Sequence, residues 1–309
     1  MKNGRRLFHS ACCLLVIMAI FFFATDVLAA VPEVAGDSTG VTKQTVSEIG
    51  EKIDLESVAK TAAATKVGLN YVWVLLCGML IFFFQCGFAM VETGFCRAKN
   101  ASHTMFMNLL VFLVGLVGFL FTGFALMCGG VGNVASLGGQ MPLVSEFKIG
   151  EWGLFGLQGF LLTGVAYDVG VFAYFFFQMV FMDTTCTIPT GGVAERVKIS
   201  AVILNALFIS ALYYPLYGNW VWGGGWLSQL GSLAGLGHGV VDFAGSSVVH
   251  AMGGAAALAG AIAIGPRIGK YRKDGTSVAI PGHHIPMAVV GTIILFFCWF
   301  AFNGGSTLS

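Results

Sequence analysis

Long apolar segments without charged side chains are the feature that most limits how this 309-residue chain can fold. Residues 67–91 contain no Asp, Glu, Lys or Arg, and as a helix they are long enough to cross the ~30 Å hydrocarbon core of a bilayer with some tilt. Five further segments are similarly apolar, 105–128, 170–192, 199–221, 243–265 and 285–308, and Asp183 in 170–192 is the only Asp, Glu, Lys or Arg among them. Charged residues make up only 10% of the chain, too few to cover a soluble globule of this size. The sequence therefore predicts an all-α integral membrane protein with six spans.

The N-terminal residues have the pattern of a targeting signal. Lys2, Arg5 and Arg6 precede an apolar stretch at 11–24 and the small-residue ending VLAA, which predicts a signal peptide over 1–30. A retained first transmembrane helix is the alternative, which Asp26 and the short apolar core disfavour. Residues 31–66 are polar and predict an external linker with a marginal amphipathic helix, so the membrane domain covers 67–309.

Basic residues predict the orientation of the spans. After Lys66, eight of them fall on one set of alternating loops and only Lys148 falls on the other. The eight are Arg97, Lys99, Arg196, Lys198, Arg267, Lys270, Arg272 and Lys273. This asymmetry predicts a multi-pass protein of the cell (inner) membrane with those loops in the cytoplasm and the mature N-terminus outside. The apolar piece 154–165 is too short to span and is interpreted as an interfacial or half-inserted segment of an outer loop.

Composition excludes several functional classes. The net charge is +1 and the basic residues are dispersed, so nucleic acid is not an expected partner. Most of the eight cysteines lie in apolar segments without metal-ligand spacing, which favours small buried hydrophobes over a redox or metal site. We expect no metal, no other cofactor and no catalytic residues, because no nucleophile and base pair or nucleotide-binding loop is visible; an enzyme is the least favoured class.

The fifth apolar segment carries the most informative residues. It opens on Asp242 and contains a lone histidine, His250, on a flank of small residues. A titratable imidazole inside a membrane span is costly and favours a conduction pathway, whereas a structural histidine bonded to a neighbouring helix is the alternative. Asp242 is suited to cap the segment, and direct contact with a substrate is the less favoured alternative.

Aromatic residues supply further candidates. Trp222 precedes three glycines in VWGGGW, so its indole face could hold a small cation, with an interfacial tryptophan as the equal alternative. Phe181 and Phe302 are two of 28 phenylalanines, and taken alone they are expected to face lipid or the core.

Besides Asp242, three carboxylates lie in or near the spans. Glu92 and Glu195 stand close to basic residues, which predicts ion pairs with Arg97 or Arg196. Asp183 lies deeper, and the sequence offers no account of it.

Four ordered motifs resemble one family. DFAGSSVVHAMGGAAALAG resembles the fifth-helix motif of the ammonium transporter, methylammonium permease and Rhesus family. VWGGGW, GGVAERVK and WFAFNGGS occur in that family's order and spacing, and the resemblance covers about residues 70–309. It implies an ammonium-transporter-like helical bundle consisting of the first five-helix repeat and part of the second.

The resemblance also implies roles for individual residues. Trp222, Ser306 and Phe181 are expected at a site that recruits ammonium, and Phe181 and Phe302 at a gate that closes the pore. His250 is the expected start of a proton relay, and Asp242 is expected to support the recruitment site. FMDTTCTIP departs from the apolar or small residues of many members around Phe181, so its gate position is less well defined than that of His250.

The implied function is transport of ammonium or ammonia by recruitment, deprotonation and conduction through a hydrophobic pore, here by a partial chain. An ammonium-sensing membrane domain of a signalling protein is the alternative. The partners that the resemblance implies are ammonium or ammonia, membrane lipid, two further copies in a homotrimer and a PII-type signalling protein at the cytoplasmic face.

Overall fold

Six helical segments form the framework of the protein. The computed structural model describes residues 55–131, 134–138 and 143–309, so the predicted signal peptide and most of the predicted linker lie outside the described residues. Ala64–Ser309 forms one compact unit. The segments long and apolar enough to cross a membrane, called spans 1 to 6, are Leu55–Phe95, Ala98–Cys128, Val169–Val193, Ile199–Val221, Ser246–Ile264 and Ile285–Gly305. The six predicted spans are confirmed, and the helix of span 1 begins at Leu55, well before residue 67.

Several spans are interrupted by a change of helix geometry. Their α-helices are Leu55–Phe82 and Phe84–Phe95, Ala101–Gly118 and Phe124–Cys128, Val169–Val193, Ile199–Phe208 and Tyr214–Val221, Met252–Ile264, and Ile285–Gly305. Wider π-helical turns lie at Phe119–Gly123 in span 2, Ile209–Tyr213 in span 4 and Ser246–Ala251 in span 5. The first two turns meet, because the Thr122 hydroxyl donates to the Ala211 carbonyl at 3.1 Å. Side-chain hydroxyls of this kind satisfy carbonyls that an altered turn exposes.

Span 3 is the most enclosed of the six. In its apolar window 78% of residues are buried inside the protein, compared with 17% in span 5. Its N-terminus is capped by Asp168, whose carboxylate accepts from the main-chain N–H groups of Gly170 and Val171 at 2.9 and 3.2 Å. A helix enclosed on most sides has no need of an amphipathic stripe, and the polar residues of this span are buried together with the apolar ones.

Spans 1 and 6 lie against each other through glycines. A Cβ atom at Gly291 would lie 2.7 Å from the Gly87 carbonyl oxygen, and one at Gly305 would lie 2.6 Å from the Cys77 Cβ. Only glycine allows backbones to approach this closely. The contact positions the end of span 6, which carries Phe302 and Ser306.

The loop between spans 2 and 3 contains an antiparallel hairpin of strands β1 (Glu146–Ile149) and β2 (Trp152–Gly156). The Trp220 indole donates to the Leu154 carbonyl at 2.9 Å and ties the hairpin to span 4. The piece 154–165 is therefore part strand and part 3₁₀ turn and is not a span; its position at the membrane interface stays a prediction. The loop after span 4 contains a short helix, Leu230–Ala234.

Candidate functional site

Trp222 lies directly after span 4 and is fixed by hydrogen bonds at both ends. Its main-chain N–H donates to the Gly218 carbonyl at 2.8 Å, and its indole Nε1 donates to the Asp242 carbonyl at 2.5 Å. Gly224, two residues on, has a φ of +83°, a conformation that glycine adopts without strain. The indole is thereby joined to the start of span 5, which a tryptophan that only marked the membrane interface would not require.

Asp242 caps the first turn of span 5. Its carboxylate oxygens accept from the main-chain N–H groups of Gly245, Ser246, Ser247 and Val248 at 2.6 to 3.0 Å, and from the Ser247 hydroxyl at 2.7 Å. Burial disfavours the charged carboxylate, but these bonds outweigh it and lower the pKa of Asp242 below its usual value. The predicted capping role is confirmed, since the carboxylate is used by its own helix.

Phe181 of span 3 and Phe302 of span 6 form a stacked pair. Their ring centroids lie 4.1 Å apart with the planes inclined by 28°, and both side chains are fully buried. Trp222 meets the Phe181 ring edge-on at 6.1 Å. Phe84 of span 1, which sequence reasoning missed, stacks on the other side of Phe302 at 5.4 Å with nearly parallel planes. The rings are buried between helices and do not face lipid.

His250 lies beyond this pair. Its imidazole stacks on the Trp299 indole with centroids 5.2 Å apart and planes inclined by 17°, and it lies 5.5 Å from the Phe302 ring. In the described part of the chain the imidazole contacts these aromatic rings, and no group forms a hydrogen bond with its nitrogens. Trp299 was also missed, although it lies in the quoted motif WFAFNGGS.

A cavity of about 330 Å³ lies on the Trp222 side of the stacked pair and is called the Trp222 cavity. It is lined by the rings of Trp222 and Phe181, by Ser306 and Asp242, and by Tyr174 and Gln178. The Ser306 hydroxyl donates to the Phe302 carbonyl at 2.8 Å. The structure thus brings together the three residues predicted to recruit ammonium, with Phe302 between their cavity and His250.

Comparisons with known proteins show the family of the chain. The model of the Ammonium Transporter Family matches residues 72–309, most of the chain. The chain belongs to the ammonium transporter family. It is 47% identical over 244 residues to the ammonium transporter Amt2 of Archaeoglobus fulgidus, covering 78% of this chain and 48% of that protein.

Solved structures of the family have the same fold. A structure named Sensor Amt Protein is similar with a TM-score of 0.67 and 38% identity, covering 79% of this chain and 56% of the other. Mep2 of Candida albicans is similar with a TM-score of 0.59 and 26% identity, covering 78% and 48%. This member of the ammonium transporter family spans about half the length of the curated relatives it matches.

Glu195, in the family motif GGVAERVK, forms ion pairs at the other end of span 4. Its carboxylate is fully enclosed and accepts from Arg97 Nε at 3.0 Å, from Arg267 at 2.8 Å and from the Asn100 amide at 3.1 Å. Burial disfavours its charge, but the hydrogen bonds from Arg97, Arg267 and Asn100 prevail and lower the pKa of Glu195 to about 2. Glu195 thus pairs with Arg97, one of the two arginines expected from the sequence, and with Arg267, which was not expected.

The sequence prediction of ion pairs is wrong for Glu92 and for Arg196. Glu92 has no ion pair within the described residues and instead accepts from the Thr190 hydroxyl at 2.7 Å and the Asn108 amide at 2.8 Å. The guanidinium of Arg196 donates to main-chain carbonyls, two near the end of span 3 and that of Gly265. Glu92 is satisfied by side chains of spans 2 and 3 and Arg196 by main-chain carbonyls, so the partners of both are neutral.

Asp183 is buried in span 3, and its Oδ1 has no hydrogen-bond partner among the described residues. The structure gives no account of its role. Over the same residues, no group of His, Cys, Asp and Glu side chains could hold a metal ion.

Proposed function

We propose that this protein transports ammonium across a membrane by collecting the cation in the Trp222 cavity, removing a proton and passing neutral ammonia past the phenylalanine pair. Membership of the ammonium transporter family supports this proposal. The observation that carries it is the order of the groups: a cavity lined by Trp222 and Ser306, then the stacked pair, then His250.

The chemistry of each group fits its step. The faces of Trp222 and Phe181 attract a cation, and the Ser306 oxygen accepts a hydrogen bond from it, because the hydroxyl proton is already donated to Phe302. Asp242 holds the indole in place through its carbonyl and adds negative charge to the cavity wall. Trp222, Ser306 and Phe181 thus recruit, and Asp242 supports the recruiting site.

Selectivity follows from the cost of dehydration. Transfer of any monovalent cation into a dry, apolar passage costs many kcal/mol, and potassium has no way to avoid it. Ammonium can lose a proton and continue as a neutral molecule. Phe181 and Phe302 close the passage to water, and His250 begins the relay that carries the proton.

The setting of the protein completes the proposal. The excess of basic residues on alternate loops supports a location in the cell (inner) membrane with the Trp222 cavity outside and the loop 267–273 in the cytoplasm. The signal peptide 1–30 and the external linker precede the membrane domain. The protein acts without catalytic chemistry, assembles as a homotrimer, and presents its cytoplasmic face to a PII-type signalling protein.

Substitution of Trp222 tests the function. Trp222→Leu should weaken ammonium recruitment by about 0.5–2 kcal/mol, the range for a cation over an aromatic face, and the defect should disappear at saturating ammonium. The measurement is ammonium-dependent current or uptake by the protein expressed from its natural gene in cells without other ammonium transporters. In the same assay His250→Ala should abolish proton-coupled current.

Trp226→Leu is the matched control, because Trp226 packs against Trp220 and does not line the cavity. Uptake at low ammonium that is unchanged in Trp222→Leu, at a normal protein level in the membrane, would contradict the recruiting role. Full current in His250→Ala would contradict the relay.

An ammonium sensor is the second candidate, favoured by the similarity to the structure named Sensor Amt Protein. A sensor would bind ammonium in the same cavity without sustained uptake. Ammonium binding by the purified protein, together with no uptake in cells, would decide for it.

A further inference from the structure

Gln178 of span 3 is a buried amide in the wall of the Trp222 cavity that sequence reasoning did not single out. Its side chain is only 6% exposed. The amide Nε2 donates to the Tyr174 hydroxyl at 3.1 Å, one helical turn away. The amide oxygen, Oε1, has no hydrogen-bond partner within the described residues.

An unpaired buried carbonyl oxygen is costly. An acceptor left without a donor keeps the full cost of its lost hydration, so natural proteins pair these groups unless water or a ligand does so. Tyr174, the partner of the amide nitrogen, also lines the cavity. The bond between Gln178 and Tyr174 uses the amide nitrogen, and the amide oxygen has no hydrogen-bond partner among the described residues.

The Ser306 hydroxyl likewise offers an acceptor to the cavity. Its hydroxyl proton is donated to the Phe302 carbonyl, so its oxygen offers only lone pairs. One N–H of Gln178 and the hydroxyl proton of Ser306 are therefore used inside the protein, and the Gln178 Oε1 and Ser306 oxygen acceptors remain for an occupant of the cavity. An occupant that matches these acceptors is rich in N–H donors and positively charged.

We propose that Gln178 Oε1 contacts the substrate directly, accepting an N–H hydrogen bond from ammonium in the Trp222 cavity. This inference rests on the proposed function and adds a residue that sets affinity. The substrate class is a small cation with at least two N–H groups, one for Gln178 and one for Ser306, whose remaining faces lie against the Trp222 and Phe181 rings.

Two substitutions of similar size test the contact. Gln178→Met removes the acceptor and should raise the KM for ammonium uptake about tenfold, the loss expected for a hydrogen bond to a charged group, with Vmax within about twofold of wild type. Gln178→Glu keeps acceptors and adds charge, so its KM should equal or fall below that of the wild type.

A merely structural role predicts the opposite order. Methionine is well accommodated in a buried apolar position, whereas a buried carboxylate is costly. The control is Gln229→Met, which changes a half-buried glutamine whose amide donates to Gly224 and which does not line the cavity. It should leave KM unchanged.

Two measurements separate this inference from the proposed function. Uptake is measured in cells expressing the natural gene, and ammonium chloride is titrated calorimetrically into the purified protein in lipid nanodiscs, with sodium chloride as the blank. Weakened uptake and binding in Gln178→Met, with Gln178→Glu retained, support the contact. If the wild type takes up ammonium and Gln178→Met has a normal KM, the contact is overturned but transport stays in place. The same holds if only Gln178→Glu loses uptake. A wild-type protein with neither binding nor uptake overturns both.

Discussion

Asp242 and Glu195 are two buried carboxylates at opposite ends of span 4, and both have a lowered pKa for different reasons. Asp242 accepts main-chain N–H groups three to six residues further along the chain. Glu195 accepts from Arg97 and Arg267, which come from loops that are distant in sequence. The first carboxylate organises one turn of helix, and the second holds three loops together. Local partners fix the geometry of the Trp222 cavity, whereas long-range partners fix the packing of the spans.

Removal of the long-range carboxylate should have the largest effect. Glu195→Ala should lower the free energy of unfolding by about 3 kcal/mol, the lower limit for breaking a buried ion pair, because both arginines remain partly in contact with water. The measurement is thermal or denaturant unfolding in detergent. Glu56→Ala, which breaks an exposed pair with Lys60, is the control and should change stability little. Equal stability of Glu195→Ala and the wild type would refute the comparison.

Acid should remove the same contribution gradually. The pKa of Glu195 is about 2 in the folded protein against an ordinary value of 4.5, so its stabilisation is complete above about pH 5 and is lost as the pH falls toward 2. Because other carboxylates also titrate there, the measured quantity is the pH dependence of unfolding in the wild type minus that in Glu195→Gln. A difference that does not vary between pH 5 and pH 2 would contradict the assignment.

The local carboxylate should matter less for stability and more for the cavity. Asp242→Ala should cost about 2 kcal/mol, since it removes a cap but leaves no charged partner unpaired. Because the Trp222 indole is bonded to the Asp242 carbonyl, reorganisation of this turn should also change the indole environment. The measurement is the change in tryptophan fluorescence that Asp242→Ala causes. The same substitution in a Trp222→Leu background is the control, because any change that remains there comes from other tryptophans. A stability loss larger than that of Glu195→Ala would reverse the comparison.

The same contrast explains what could be predicted from the sequence. The six spans and the Asp242 cap depend on residues that are neighbours in the sequence, so they could be predicted from it. Span 4 coincides with its predicted range 199–221. Sequence reasoning missed Phe84 and Trp299 because residue type does not reveal which face of an apolar helix meets another helix. It missed Gln178 because the sequence does not reveal which buried polar residue lines the cavity. The resemblance to the ammonium transporter family supplied Phe181 and Phe302, which composition alone had assigned to lipid or core. Arg267 was not foreseen as a partner of Glu195 because an ion pair across 72 residues depends on how the spans pack.

The π-helical turn Ser246–Ala251 sets the rotational phase of span 5. An α-helix advances about 100° per residue, and a turn that holds one residue more than the α-helical number offsets everything after it by about that angle. Relative to the Asp242 cap, the small-residue helix beyond the turn is therefore rotated by the equivalent of one residue from the position that an unbroken α-helix would give it. Deletion of a single residue here would preserve the apolar character of the span and its cap, yet would rotate the face that carries His250 away from Trp299 and Phe302. The chemistry of this helix is thus encoded in a count of residues as much as in their identity.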